Sequence, residues 1–200
     1  HYMSSIDALS PNVNKKDSIV VQSSTIKSLA HSMGFFACGI AKAAPVDKAV
    51  AQKYRKWLEN GEEASMAYMT NYLEKRLDPR LLVPGVRSIV SLALNYAPAQ
   101  QLPKGEYQIA AYALGLDYHD LMKQKMRELA IKITERWQLP KQEEGEEPSV
   151  RCFCDTAPVL ERYWAQKAGL GWVGRNHQLI IPHAGSMFFL GEIFLPFDVD

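Results

Sequence analysis

The sequence contains little cysteine and no long hydrophobic run. Its three cysteines are Cys38, Cys152 and Cys154, and an odd, small number argues against the disulfide framework of a small secreted domain. Cys152 and Cys154 would share one face of a strand, but without a second ligand pair they predict no metal site. No stretch of about 18 apolar residues predicts a transmembrane helix, and no basic-then-apolar start predicts a secretory signal. We therefore expect a cytoplasmic protein that does not contact a membrane.

The charges are nearly balanced, with 23 Lys and Arg residues against 22 Asp and Glu residues. The sequence therefore lacks the strongly basic composition typical of nucleic-acid-binding domains, although a local basic patch would be enough to bind an RNA. Hydrophobic residues make up 47% of the 200 positions, an ordinary share for a globular protein. A chain of this length is expected to form one domain with its own core.

The hydrophobic pattern divides the chain into a short polar start and one folded unit. Residues 1–16 begin with HYM, which resembles a tag remnant, and are expected to be flexible, whereas residues 17–200 form the domain. Helices are predicted at 18–33, 47–60, 67–73, 119–137 and 157–168. Strands are predicted at 35–41, 88–96 and 150–154, and a hairpin at 178–182 and 187–195. This order predicts an α/β or α+β fold with a mixed sheet sandwiched by helices.

A strand that leads into a helix carries the first candidate site, the segment DTAPVLER at residues 155–162. Asp155 stands where the strand ends, and α/β folds place their ligand crevices at such ends. In an enclosed site its carboxyl group could be protonated and act as a general acid; alternatively, it only caps the following helix. Arg162 could bind a phosphate or amide group of a ligand, or form a salt bridge on the helix surface.

Two further segments carry clustered glycine or polar residues. In GLGWVGRN, residues 169–176, the glycines either let the backbone approach a large ligand closely or serve a loop that needs a positive φ. In YALGLDYH, residues 112–119, Asp117 and His119 lie at the start of a helix. Asp117 could serve there as an N-cap, as a ligand contact, or as both.

These three segments, followed by SMFFLGEI at residues 186–193, together resemble the sequence pattern of epoxyqueuosine reductases. The similarity runs from roughly Lys27 to the end of the chain. The resemblance implies a nitroreductase-like fold that binds cobalamin. It also implies an enzyme that removes the epoxide oxygen of epoxyqueuosine in the anticodon loop of tRNA, giving queuosine and water, with Asp155 as the proton donor. The residues that the resemblance assigns to cobalamin are Asp117, His119, Arg162, Gly171, Trp172, Gly174, Arg175 and Asn176.

The cysteine content departs from the family pattern. The family carries two 4Fe–4S clusters on a ferredoxin-like segment, whose ligands form C-x₂-C-x₂-C-x₃-C-P runs. This chain has three cysteines, none of them so spaced, and its sequence ends at Asp200. We therefore expect this chain to lack the cluster ligands. By itself, it is also expected to be unable to transfer electrons to the cofactor. A smaller departure is RNH at residues 175–177 in place of the usual Lys-Asn-Thr. The pattern identifies neither the electron donor nor the oligomeric state.

Two alternative functions stay open on the sequence alone. The chain could be a corrinoid-binding fragment without turnover, which the missing cluster ligands favour. It could also be a flavin-dependent reductase, because the wider fold group contains flavoproteins, although no flavin-phosphate motif is recognisable. The colour of the purified protein separates these cofactors, since a flavin gives yellow and a corrinoid red or brown.

Overall fold

The computed structural model describes residues 21–60, 72–96, 118–139, 150–155 and 157–200. Its helices are α1 (Ser23–Ser32), α2 (Lys48–Glu59), α3 (Leu73–Leu77), α4 (Pro79–Leu82), α5 (Tyr118–Arg136) and α6 (Glu161–Lys167). Its strands are β1 (Ala37–Lys42), β2 (Ser88–Asn95), β3 (Arg151–Phe153), β4 (Trp172–Val173), β5 (Leu179–Ile180) and β6 (Phe188–Leu195). Within these ranges no helix is both long enough and apolar enough to cross a membrane. The predicted helix at 67–73 and the polar start at 1–16 fall mainly or wholly outside the described residues.

Four strands form the main sheet in the order β1-β2-β6-β3, and every neighbouring pair in it is antiparallel. The prediction of a mixed sheet is therefore wrong for this sheet. Lys42 at the end of β1 pairs with Ser88 at the start of β2, so the helices between them leave and re-enter the sheet at the same end. A parallel pair would require a crossover to the opposite end. Alternation of helices and strands along a sequence does not distinguish these two kinds of connection.

The sheet is covered on both faces, and its central strands are apolar on both sides as a result. In β2, Val90 and Leu92 join the main core with α1 and α5. Ile89 and Ala93 point to the opposite face, where they belong to two smaller apolar clusters beneath α6. This alternation follows from the two-residue period of a strand. Because both faces are covered, a polar side chain on either face of β2 or β6 is expected to be buried.

Helix α5 packs on the sheet through a stripe of fully buried side chains, namely Met122, Met126, Leu129 and Ile133. The predicted helix at 119–137 is confirmed, and Leu121 lies outside this stripe, since it is 44% exposed. The methionines approach β6 at Gly191, where a Cβ atom would lie 2.6 Å from the sulfur of Met126. Glycine at this position therefore allows α5 to lie close to the sheet.

Helix α6 is shorter than the predicted helix at 157–168. A tight turn precedes it, in which the Val159 N–H donates to the Ala157 carbonyl oxygen over 2.7 Å. The N-cap position is held by Leu160, without a side-chain cap. The alternative that Asp155 only caps this helix is therefore wrong. Because the turn delays the helix, Asp155 stays outside it.

The predicted hairpin between 178–182 and 187–195 is also wrong. Strand β5 pairs instead with β4, and β6 is inserted between β2 and β3 in the main sheet. An isolated bridge joins Ile181 to Gly185. Strand β6 is buried along most of its length, and a central position lets its backbone pair on both sides. The short sequence separation of β5 and β6 does not reveal that β6 pairs with β2 and β3 instead of with β5.

Candidate active site

Asp155 lies directly after β3 and turns the chain away from the sheet. Its backbone is left-handed, with a φ of 55°, a conformation that Asp tolerates better than most residues. Its side chain is 47% exposed. The hydroxyl of Tyr118 donates to Asp155 Oδ2 over 3.0 Å, and His119 Nδ1 lies 3.9 Å from the same oxygen. The strand end thus presents a carboxyl group that is both accessible and held by α5.

Tyr118 is the first residue of α5, and its ring is fixed between two others. It stacks on Phe189 of β6 with centroids 3.6 Å apart, and on His119 with centroids 4.0 Å apart. Burial first, and then the hydrogen bond to Asp155, raise the pKa of Tyr118. The hydroxyl therefore keeps its proton at neutral pH and remains a donor to Asp155.

Glu161 holds Asp155 from the opposite direction. As the first residue of α6, it accepts the Asp155 backbone N–H at Oε1 over 2.7 Å. Burial is the main cause that raises the pKa of Glu161 to about 8, and the neighbouring Asp155 carboxyl adds to this rise. The backbone bond from Asp155 and the charge of Arg162 oppose the rise without cancelling it. Glu161 is therefore largely protonated at neutral pH.

A second carboxyl group is buried within the sheet. Glu192 is fully buried in β6 and pairs in register with Ser91 of β2. Within the described part of the chain, neither carboxyl oxygen of Glu192 nor the hydroxyl of Ser91 has a hydrogen-bond partner. Burial raises the pKa of Glu192 well above its usual range, and Glu161 and Asp155 raise it further. Burial therefore favours the protonated, neutral form of Glu192.

Glu161, Glu192 and Tyr118 were not among the residues predicted for the site. Tyr118 stood within a recognised motif, but its role depends on the register of α5 against β3. The clearest missed signal was Glu192, a lone acid within the apolar stretch FFLGEIFL at residues 188–195. A charged residue in a strand that is apolar on both faces requires a functional or electrostatic explanation.

A metal is the less suitable occupant of this position. The nitrogen of His119, the sulfur of Cys154 and a carboxylate oxygen of Asp155 lie within 4.8 Å of one another. Burial, however, raises the pKa of Cys154 to about 12, whereas metal ligation requires the thiolate. Cys154 belongs to the main core, and we assign no metal to this group.

The other predicted cofactor residues are distributed over two places. Arg162 is exposed on α6, next to Glu161. The glycine-rich segment forms the β4–β5 hairpin, on which Trp172 is 50% exposed. Arg175 is exposed in its turn, where Asn176 accepts the Gln178 N–H over 3.1 Å. Asp117 lies outside the described residues.

The glycines of the hairpin are required for its internal packing. At Gly171 a Cβ atom would lie 2.0 Å from the Ile180 carbonyl oxygen, and at Gly174 it would lie 2.5 Å from the Ile180 side chain. Neither glycine has a positive φ, in contrast to Gly169 with 84°. Their immediate role is therefore close contact between β4 and β5. The exposed Trp172 remains available to a ligand.

Known proteins of one family resemble this chain. Residues 76–156 match the family model described as Epoxyqueuosine reductase QueG, DUF1730. The chain is 42% identical over 177 residues to an epoxyqueuosine reductase of Cellulophaga algicola, covering 88% of this chain and 55% of that protein. The match to an epoxyqueuosine reductase structure from Streptococcus thermophilus has a TM-score of 0.72 at 25% identity and covers 88% of this chain and 46% of the other.

A further match shows the fold alone. A crystal structure of an epoxyqueuosine reductase with a tRNA-Tyr epoxyqueuosine-modified tRNA stem loop has a TM-score of 0.68 at 24% identity, covering 88% of this chain and 46% of the other. The chain therefore spans about half the length of the relatives that it matches. The residue range of the family model includes Tyr118, His119 and Asp155.

Proposed function

Because this chain belongs to the epoxyqueuosine reductase family along the region that it shares with those proteins, we propose that it reduces epoxyqueuosine in tRNA to queuosine. Residues 17–200 would form one cobalamin-binding catalytic domain of the nitroreductase-like type, acting in the cytoplasm on a tRNA anticodon loop. The observation that carries the proposal is the accessible carboxyl of Asp155, held between Tyr118 and Glu161. An acid in this position can reach a bound ligand while its orientation is fixed.

The proposed reaction needs an acid of this kind. Removing an epoxide oxygen as water breaks its two C–O bonds, forms a C=C bond, and consumes two electrons and two protons. Protonation of the departing oxygen makes it a better leaving group. Asp155 is assigned this step because its carboxyl is exposed, and Tyr118 and His119 lie beside the same carboxylate oxygen.

Cobalamin suits the groups that the chain exposes. Its corrin ring carries amide side chains and its nucleotide tail carries a phosphate, which guanidinium groups bind well. Arg162 and Arg175 are both exposed, and the half-exposed indole of Trp172 offers an apolar surface for the ring. We propose these residues, together with His119, Asn176 and Asp117, as its contacts. When bound, a reduced corrinoid supplies the electrons of the reaction.

The 4Fe–4S clusters that the resemblance implies would need other ligands. Burial raises the pKa of Cys38 to about 12 and of Cys152 to about 11, as it does for Cys154. Cluster ligation requires thiolates, and all three side chains contribute to the main core. We therefore propose that electrons reach the cofactor from a donor outside these residues.

The proposal is tested by cofactor binding and by the variant Asp155→Asn. The purified chain is titrated with cobalamin under a visible spectrum and then assayed on epoxyqueuosine tRNA with a low-potential chemical reductant. We expect stoichiometric corrinoid binding by both proteins and a loss of reduction by the variant of about 10²-fold or more. Asp47→Asn, which changes an exposed carboxyl at the start of α2, is the matched control.

Three results would contradict the proposal in different ways. Unchanged reduction by Asp155→Asn would remove Asp155 from its role. Corrinoid binding without any reduction by the unmodified chain would indicate a binding module. Failure to bind cobalamin together with uptake of a flavin would indicate a flavin-dependent reductase.

A further inference from the structure

Two buried polar side chains face each other across the two central strands of the main sheet. Ser91 of β2 and Glu192 of β6 pair in register, and both residues are fully buried. Among the described residues, the Ser91 hydroxyl and both carboxyl oxygens of Glu192 have no hydrogen-bond partner, so the two side chains do not bond to each other. Such atoms are uncommon in protein interiors, because a polar group that leaves water without gaining a partner destabilises the fold.

Both side chains lie on the face of the sheet that α6 covers. Residues two apart on a strand share a face, and Ser91 lies between Ile89 and Ala93, which belong to the two apolar clusters beneath α6. Glu192 is two residues before Phe194, which packs in the same cluster as Ile89. The polar pair therefore stands, by its register, where the apolar packing beneath α6 is divided in two.

The neighbours of the pair across the sheet supply no polar side chain. Gly39 of β1 pairs in register with Ser91, and Phe153 of β3 pairs in register with Glu192. Glycine has no side chain, and the ring of Phe153 is apolar. The buried residues of α6 on this face are Trp164 and Ala165, one in each apolar cluster. These surroundings favour a small polar molecule as the partner of the three oxygen atoms.

We propose that the main sheet binds an internal water molecule between the Ser91 hydroxyl and the Glu192 carboxyl group. A buried water makes about two to four hydrogen bonds to otherwise unpaired polar groups, and this pair offers three oxygen atoms. A carboxylic acid has an O–H donor and a carbonyl acceptor, and a serine hydroxyl both donates and accepts. A water molecule, which donates twice and accepts twice, matches these groups. The inference is independent of the proposed function.

A metal ion is a less suitable occupant than water. One carboxyl group and one hydroxyl provide fewer oxygen atoms than the roughly six to eight that Ca²⁺ takes. Metal binding also requires the ionised carboxylate, whereas burial raises the pKa of Glu192 well above its usual range. A water molecule bonds equally to the neutral acid. It would also give a partner to the lone acid in the apolar stretch at residues 188–195.

The test counts long-lived internal water molecules by magnetic relaxation dispersion of the water ¹⁷O and ²H nuclei. It compares the unmodified chain with the double variant Ser91→Ala, Glu192→Met, in which apolar groups replace all three oxygen atoms. Ser88→Ala is the matched control, because Ser88 is a buried serine of the same strand whose hydroxyl is not one of the unpartnered atoms. We expect the double variant to lose one long-lived water and the control to keep it. Equal counts for the double variant and the unmodified chain would overturn the proposal.

Two further measurements remain decisive if the double variant does not fold. The single variant Ser91→Ala should have a lower Tm than the unmodified chain, because the water loses a partner; an equal or higher Tm would show that the hydroxyl has no partner to lose. A high-resolution crystal structure of the unmodified chain should contain an ordered water within about 2.5–3.2 Å of Ser91 Oγ and of a Glu192 carboxyl oxygen. A direct hydrogen bond between the two side chains, without this water, would overturn the proposal.

Discussion

The ring of Tyr118 stacks on the ring of Phe189 with centroids 3.6 Å apart and planes inclined by 4°. This contact joins the first residue of α5 to the central strand β6. The stack fixes the position of the Tyr118 ring, whose hydroxyl donates to the Asp155 side chain. The accessible acid is thus oriented by an aromatic stack on one side and by Glu161 on the other.

Replacing Tyr118 by Phe should slow the reaction without unfolding the protein. The stack on Phe189 is kept, whereas the hydrogen bond to Asp155 is lost, and such a bond to a charged group contributes about 1.5–3 kcal/mol. We expect kcat to fall about tenfold or more with little change in KM. Tyr163→Phe removes a hydroxyl that accepts the Asp47 N–H and serves as the control. Equal kcat values for the two variants would show that Tyr118 does not orient Asp155.

Replacing Glu192 by Gln should stabilise the protein increasingly as the pH rises. Burial raises the pKa of Glu192 in the folded state above the unfolded value of 4.5. Its contribution to stability is therefore fully present below pH 4.5 and is lost as the pH rises towards the folded pKa, by about 1.4 kcal/mol for each pH unit. Gln does not titrate, so the Tm difference between variant and parent should be larger at pH 8 than at pH 5.

The control for this pH dependence is Glu74→Gln. The hydrogen bond to Arg55 lowers the pKa of Glu74, so this variant should not gain stability at higher pH. A Tm difference for Glu192→Gln that is the same at pH 5 and pH 8 would show that Glu192 is ionised in the folded protein.

Replacing Gly171 by Ala should destabilise the protein more than replacing Gly85 by Ala, because Gly85 has only a left-handed backbone and no close neighbour. The added Cβ would lie 2.0 Å from the Ile180 carbonyl oxygen, which is backbone and cannot rotate away. We expect a loss of about 3 kcal/mol in the free energy of unfolding, measured in urea. At Gly85, where φ is 83° and no atom lies within 4 Å of an added Cβ, alanine should cost about 1 kcal/mol. Equal losses would mean that the hairpin opens to accommodate the methyl group.

The three thiols should react slowly with iodoacetamide in the folded protein. Burial raises the pKa of Cys38 and Cys154 to about 12 and of Cys152 to about 11, and the thiolate is the reactive form. At pH 8 we expect mass spectrometry to find little alkylation before unfolding and complete alkylation in urea. Rapid labelling of Cys154 in the folded chain would show that the main core around this thiol opens to the reagent.

The sequence predicted local elements well where one physical signal dominated. The helix predicted at 18–33 appears as α1, and Gly34, with a φ of 89°, follows it. The strand at 88–96 appears as β2, because a continuous apolar run suits a strand that is buried on both faces. The segment DTAPVLER likewise predicted an acid at the end of a strand, and Asp155 lies directly after β3.

Tertiary contacts decided the rest. The antiparallel order of the sheet, the insertion of β6 between β2 and β3, and the delayed start of α6 depend on pairing between distant segments. Local propensity does not record such pairing. The same holds for the raised pKa values of Glu161 and Glu192, since they follow from burial that only the packed fold creates. The sequence by itself determined the family and the acid at the strand end, because both reside in contiguous motifs. Only the tertiary structure decided which carboxyl groups surround that acid, because their neighbours come from strands and helices far apart in the chain.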